Sequence, residues 1–353
     1  MDDGSITVRA PGRVNLIGDH TDYTGGLVFP IAIDRWTEVT GRHADRVRLV
    51  SEDDPETIEF DIDREPDPTE FTSWGRLVAA VAAEIWAKEP DHLTGLDGRV
   101  RSTLPIGAGL SSSASLELAV AVALGFSGTP RELAELGRRA EHRATGVPSG
   151  IMDQLCIATA RSGHGTLIDC HTFDVRHVAI PDDVVIEVQF IAPRTLEGSE
   201  YATRVAECAE AEQVIGPLRT ASTHDLSVIA DDTVRCRARH VITENARVGA
   251  FAEFLTSGDY REAGALMVES HRSLSTDFEV STSALDRAVS TAIAERGVFG
   301  ARMTGGGFGG CIVVLRDNEA PTARRWRVRP ADGVAATMRG VQGGQSSSLP
   351  REP

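Results

Sequence analysis

Lysine is almost absent from this 353-residue chain: of its 36 lysines and arginines, Lys88 is the only lysine. This excludes the GxxxxGK[ST] phosphate loop, whose lysine lies on the phosphates. If phosphates are bound here, backbone amides, a metal and arginine must hold them. Cysteine is scarce too. Cys156, Cys170, Cys208, Cys236 and Cys311 are odd in number, far apart and mostly set among apolar residues, as expected of reduced thiols and not of a disulfide framework or a zinc site. No run approaches 18 consecutive apolar residues, which argues against a membrane-spanning helix. The opening MDDGSITVRAPG lacks the apolar stretch of a signal peptide, so the expected compartment is the cytoplasm. With a formal net charge of −16 and no basic cluster, nucleic acid is not an expected partner.

The length predicts two domains. Short apolar or alternating runs at 5–10, 27–33, 36–42, 46–52 and 57–62 read as strands. Helical periodicity follows at about 73–87, 113–125, 130–145 and 151–161, with a strand (DGRVRSTL) before the second of these. Strands at 164–170 and 184–192, a mainly helical stretch from 199 to 297 and a strand at 311–315 complete an α+β pattern without a βαβ repeat. The expected boundaries are an N-terminal domain over 1–175, a C-terminal domain over 176–338 and a disordered tail over 339–353, rich in Gly, Ser and Pro.

Four segments can carry chemistry. RAPGRVNLIGDHTDYTGG gathers Arg13, Asp19, His20, Asp22 and Tyr23 beside several glycines. It reads either as a solvated turn or as a cluster for a polyol, where unsatisfied hydroxyls are costly and enforce recognition. LPIGAGLSSSASLELAVAVAL is a strand, a Gly/Ser loop and an apolar helix. The free N–H groups and dipole of that helix start form a natural phosphate site, with Gly107 and Gly109 admitting close approach and Ser111 to Ser113 supplying hydroxyls; the alternative is a serine-capped helix. In RRAEHRATGVPSGIMDQLCIATA, Asp153 falls in the first turn of a helix. It either complements the dipole or receives or orients a hydroxyl proton, while Glu141 is either a surface residue or an oxygen ligand for a hard cation. GARMTGGGFGGCIVVL removes side chains ahead of a strand, for a tight turn or for a surface that something approaches closely.

In this order the segments PGRVNLIGDHTDYTGG, GLSSSAS, GIMDQ and MTGGGFGGC, with GSEYATR, RARHV and LMVESHRSLSTDFEVS further on, resemble the signature motifs of the GHMP small-molecule kinases, and the galactokinase branch in particular. The resemblance spans about residues 6 to 333. It implies an α+β, two-lobed fold with a ferredoxin-like C-terminal half, an active site in the cleft between the lobes, and ATP and Mg2+ as co-substrate and cofactor. Carried over by position, Arg13 and Asp153 would be catalytic, flanking the anomeric hydroxyl. Asp19, His20, Asp22, Gly150 and Tyr201 would bind the sugar. Trp74, Gly107, Gly109, Leu110, Ser111, Ser112, Ser113, Ala114 and Ser115 would bind ATP, with Ser113 and Glu141 as magnesium ligands. Glycines 305 to 307 would let the second lobe close over the site.

The resemblance implies ATP-dependent phosphorylation of the C1 hydroxyl of galactose; the family motif generally reads GEHTDY, whereas Asp19 here is one methylene shorter, which keeps arabinose, galacturonate and N-acetylgalactosamine as alternative sugars. A non-catalytic galactose/ATP sensor is the rival from another class; it is disfavoured because Ser113-Ala114-Ser115, Arg13 and Asp153 are all intact. The expected partners are a sugar and ATP, with no membrane, in a monomer or a homodimer.

Overall fold

The computed structural model describes residues 5–105, 107–193, 199–318, 325–339 and 346–348. In chain order the first half holds β1 (Ser5–Asn15), β2 (Leu27–Val28), β3 (Pro30–Ala44), β4 (Arg46–Ser51), β5 (Ile58–Asp61), α1 (Ser73–Lys88), β6 (Gly95–Ser102), α2 (Ser112–Ala123), α3 (Pro130–Thr145), α4 (Met152–Thr159), β7 (His164–Asp169) and β8 (Val175–Ala179). The second holds β9 (Val184–Ala192), α5 (Ser199–Ile215), α6 (Asp232–Ser257), α7 (Tyr260–Thr276), α8 (Ser283–Ile293), β10 (Val298–Thr304), β11 (Gly310–Asp317), β12 (Trp326–Val328), β13 (Ala335–Arg339) and β14 (Ser346–Ser348).

A seven-stranded sheet in the order β14-β13-β1-β3-β6-β4-β5 forms the first lobe. Val8, Ala10 and Val39 on its strands pack with Val78, Leu118, Leu133 and Leu155 from α1 to α4 in one buried cluster. The second lobe is a four-stranded antiparallel sheet, β10-β11-β9-β12, whose Met303, Ile312 and Val314 pack with Val241, Leu274 and Leu285 of α6 to α8. A third buried cluster joins the lobes: Val14, Leu16 and Ile31 meet Leu110, Val188, Phe251 and Val313. This explains why the outer part of β1 alternates between buried and part-exposed residues while its inner end is buried on both faces.

Local chemistry sets the elements that frame the cleft. α3 begins with a capping box in which Thr129 and Glu132 bond each other's backbone N–H, with Pro130 at its first position, and it ends on Gly146 at φ +70°. The pairing of β1 with β3 shifts register between Pro11 and Arg13. At that step a Cβ on Gly12 would lie 2.4 Å from Leu104 and 2.7 Å from the Leu110 carbonyl. Glycine therefore lets the strand touch the loop before α2, and Arg13 N donates to that same carbonyl.

Three features differ from the expected organisation. β10 lies just ahead of the glycine run, where no strand was expected, and β13 returns to pair with β1 from Ser5↔Arg339 to Arg9↔Ala335, so the end of the second half completes the first sheet. The expected tail is a strand where it is described: Ser346–Ser348 pairs with β13, and the rest of 340–353 lies outside the described residues.

Candidate active site

A cavity of about 300 Å³ between the lobes is lined by residues from all four segments. At its centre Arg13 Nε donates to Asp153 Oδ1 at 2.6 Å and Nη2 to Oδ2 at 2.7 Å, while Nη1 donates to the Gly109 carbonyl at 2.8 Å. Only 5% of the Arg13 side chain is exposed, against 26% of Asp153, so the carboxylate is the member that faces the cavity. Burial alone lowers the pKa of a guanidinium, but the Asp153 carboxylate outweighs it and raises that of Arg13.

Ser111 does not cap α2. It takes a left-handed backbone conformation at φ +61°, and its hydroxyl donates to Asp153 Oδ2 at 2.5 Å. The first N–H groups of α2 are thus not satisfied by a cap side chain, as an anion site requires. Gly107 and Gly109 both take left-handed conformations in the loop before them. Ser112 and Ser113 line the cavity, whereas Leu110, Ala114 and Ser115 do not. Leu110 belongs to the interlobe cluster and Ala114 to the first-lobe core. Ser115 Oγ donates to the Ala10 carbonyl at 2.7 Å and accepts from Thr37 N at 3.2 Å; it pins α2 to β1 and β3.

Ser113 Oγ donates to Glu141 Oε1 at 3.2 Å, and Glu141 Oε2 accepts from Ser149 Oγ at 2.7 Å and Gln154 Nε2 at 3.1 Å. Gln154 also donates to Glu117 Oε2 at 3.1 Å. Burial first, and the nearby charge of Glu141 second, push the Glu117 carboxyl well above the usual range. A hydroxyl and a carboxylate on adjacent helices are hard oxygen donors that fit Mg2+, which keeps its other positions for water and phosphate oxygens. Among the described residues there is no group of three or more His, Cys, Asp or Glu placed to hold a metal, so the protein's share would be these two oxygens.

The other end of the cavity carries Asp19, His20, Asp22, Gly150 and Tyr201. A Cβ on Gly150 would lie 1.9 Å from Asp22 Oδ2, which is why glycine is needed there. Burial, followed by repulsion from Asp153, raises the Asp22 carboxyl to about 7. His20 holds φ +67°; its Nδ1 lies 3.1 Å from the Tyr23 hydroxyl and its ring packs on Tyr201 and Phe278, with centroids 5.5 and 4.7 Å away. Asp19 pairs with Arg302 at 2.7 Å and accepts from Gly305 N at 3.0 Å. Gly305 and Gly306 line the cavity. Gly307 does not: it packs against Val280, whose carbonyl a Cβ would meet at 2.4 Å.

Trp74 lines a neighbouring cavity of about 280 Å³ that shares Ser112 and Ser113 with the first and includes Leu77, Leu104, Asp53 and Asp54. Its ring also packs on the first-lobe core, and its buried Nε1 has no acceptor among the described residues. The sequence reading missed Ser149, Gln154, Glu117 and Arg302. All four stand inside the chemistry-bearing segments, but nothing in a single chain tells a second carboxylate-holding side chain from a neutral one.

Three family models match: the galactokinase galactose-binding signature over residues 2–43, the GHMP kinases N terminal domain over 76–161 and the GHMP kinases C terminal over 250–327. A galactokinase of Chloroflexus aggregans is 42% identical over 328 residues, 88% of this chain and 84% of its own. The galactokinase of Homo sapiens is 40% identical over 345 residues, 91% and 86% of the two chains. Among solved structures, the Lactococcus lactis galactokinase complexed with galactose superposes with a TM-score of 0.87 at 31% identity, over 94% of this chain and 95% of that one. The Methanococcus jannaschii mevalonate kinase, at 20% identity and a TM-score of 0.69 over 92% and 98%, shares the fold. On its motifs, its two-lobed architecture and these relatives, the chain belongs to the galactokinase family of the GHMP sugar kinases.

Proposed function

We propose that this chain transfers the γ-phosphoryl group of ATP to the anomeric C1 hydroxyl of galactose, in the cytoplasm. The observation that carries this reading is the Arg13–Asp153 pair, seated in one cavity between a hydroxyl-binding cluster and the uncapped start of α2. The galactose-binding signature over 2–43 and the galactose complex of the Lactococcus relative favour galactose as the acceptor.

Phosphoryl transfer needs in-line placement and neutralisation of charge spread over the equatorial oxygens. The N–H groups of α2 and the Gly107–Gly109 loop cradle the phosphates, and the cavity beside Trp74 takes the adenine. Ser113 and Glu141 would hold Mg2+, which would supply positive charge against the phosphates. Asp19, His20, Asp22 and Tyr201 fix the sugar. Asp153 accepts the hydrogen bond of the reacting hydroxyl and aims its oxygen at phosphorus, and Arg13 stabilises the charge of the transition state. Because Asp153 already accepts three hydrogen bonds, two from Arg13 and one from Ser111, it acts mainly by orienting the hydroxyl, with the proton leaving late.

The test is ADP release with Mg-ATP across galactose, arabinose, galacturonate and N-acetylgalactosamine. We expect the highest kcat/KM with galactose. Background rates with every sugar would overturn the proposal.

A further inference from the structure

Arg302, the largest fully buried side chain among the described residues, belongs to β10 of the second lobe and takes no part in the chemistry above. Burying a guanidinium is costly unless it is paired, and one of its partners, Asp19, lines the cavity. Nη1 lies 2.7 Å from Asp19 Oδ2 and 3.5 Å from the Asn15 carbonyl; Nη2 lies 3.6 Å from Glu244 Oε1.

Glu244, on α6, is equally buried and accepts from Gly18 N at 2.9 Å, Ser270 Oγ at 2.6 Å and Arg247 Nε at 2.7 Å. Burial works against its charge, but Arg302 and Arg247 outweigh it and hold the carboxyl down at about 2. Glu244 is therefore a fixed anion that anchors both the backbone before Asp19 and the guanidinium beside it.

Asp19 is held on every side. Oδ1 accepts from Gly305 N at 3.0 Å, Oδ2 lies on Arg302, and its backbone carbonyl accepts from His240 Nε2 at 3.1 Å. Only 2% of its side chain is exposed, yet it lines the cavity. A carboxylate with so little freedom presents its remaining lone pairs in one direction. The ion pair also ties the glycine wall of the second lobe to the first motif. We infer that Arg302 is a positioning residue for the sugar: acting through Asp19, it holds that side chain fixed, and so sets affinity for the acceptor while leaving the nucleotide end untouched. This rests on the reading of the cavity as a sugar site.

The test is steady-state kinetics of the full chain with galactose and ATP varied in turn. Arg302→Lys keeps the charge but cannot span Asp19 and Glu244 with one compact ammonium group. We expect its galactose KM to rise about tenfold or more, the effect of about 1.4 kcal/mol, with kcat and the ATP KM within about threefold of wild type. The double variant Asp19→Asn/Arg302→Met leaves no unpaired charge in the pair. If Arg302 acts through Asp19, its galactose KM should match that of Asp19→Asn alone; this comparison decides the matter should Arg302→Lys not fold. An unchanged galactose KM in a folded variant, an equal rise in the ATP KM, or a double variant whose loss is the product of the single losses would overturn the inference. A wild-type chain without sugar kinase activity would instead overturn the functional reading.

Discussion

Arg13 and Asp153 lie 140 residues apart, yet meet edge to edge, Nε on Oδ1 and Nη2 on Oδ2. The bidentate pair fixes both planes, so in the proposed reaction the carboxylate that would orient the hydroxyl and the cation that would stabilise transferred charge are set by the same contact. Arg13→Ala and Asp153→Asn should each reduce kcat about a hundredfold or more, as removal of one preorganised charge-stabilising group does. Arg13→Lys should recover little, because a point charge cannot reproduce the fork. Coupled-assay turnover checks all three; near-normal kcat in Arg13→Ala would refute the role.

Asp22 should leave a signature in stability. Its carboxyl titrates at about 7 in the folded protein against 3.8 ordinarily. The raised group contributes stability that is complete below about pH 4 and lost as pH rises through about 7, because the unfolded chain ionises first. Asp22→Asn removes this titration. Measured from pH 5 to pH 8, the melting temperature of the variant should gain on wild type by about 2–4 °C, and a constant difference would contradict the assignment.

Two serines two positions apart should separate function from packing. Ser113→Ala removes an oxygen beside Glu141 and should raise the Mg2+ concentration needed for half-maximal rate, with little loss of stability. Ser115→Ala orphans the Thr37 N–H and the Ala10 carbonyl and should cost about 1–3 kcal/mol while leaving the ATP KM near wild type. Urea unfolding and kinetics on both variants would show whether the roles are reversed.

Burial raises the Glu117 carboxyl well above the usual range and so favours its neutral form, beside Gln154. Glu117→Gln should therefore be close to neutral in stability and kcat at pH 7, and more stable than wild type in alkali, where the wild-type acid must ionise without a counter-charge. Glu117→Ala, which leaves a void and an unpaired Gln154, should be clearly less stable. Equal losses in both variants would mean that the acid is needed in its charged form.

Much of the fold was legible in the sequence because its signals are local. The apolar periodicity of α1 and α3 and the strand alternation before Gly12 each depend on neighbours within a few residues. β10 was missed because its Gly300 and Arg302 break the strand pattern, and both have distant reasons: Gly300 touches the backbone of Gly264, and Arg302 reaches Asp19. The return of β13 to β1 was not legible, since pairing between Ser5 and Arg339 leaves no mark on either segment.

The site follows the same division. Arg13, Asp22, Gly150, Asp153 and Glu141 stand in motifs and converge on one cavity. Ser115 was grouped with the phosphate loop because it follows the run Ser111 to Ser113 after a single alanine and looks like them in sequence; helix phase turns it inward. Glu244 was invisible for the opposite reason, being one acid among 52 Asp and Glu residues whose role arises only where α6 meets β10.

Phosphorus NMR of the product formed from galactose and Mg-ATP tests the central claim most directly. The account predicts a single sugar phosphate, coupled to the anomeric proton, that accumulates with ADP and is lost in Asp153→Asn. Phosphate on another hydroxyl, or ATP hydrolysis without a sugar phosphate, would contradict it.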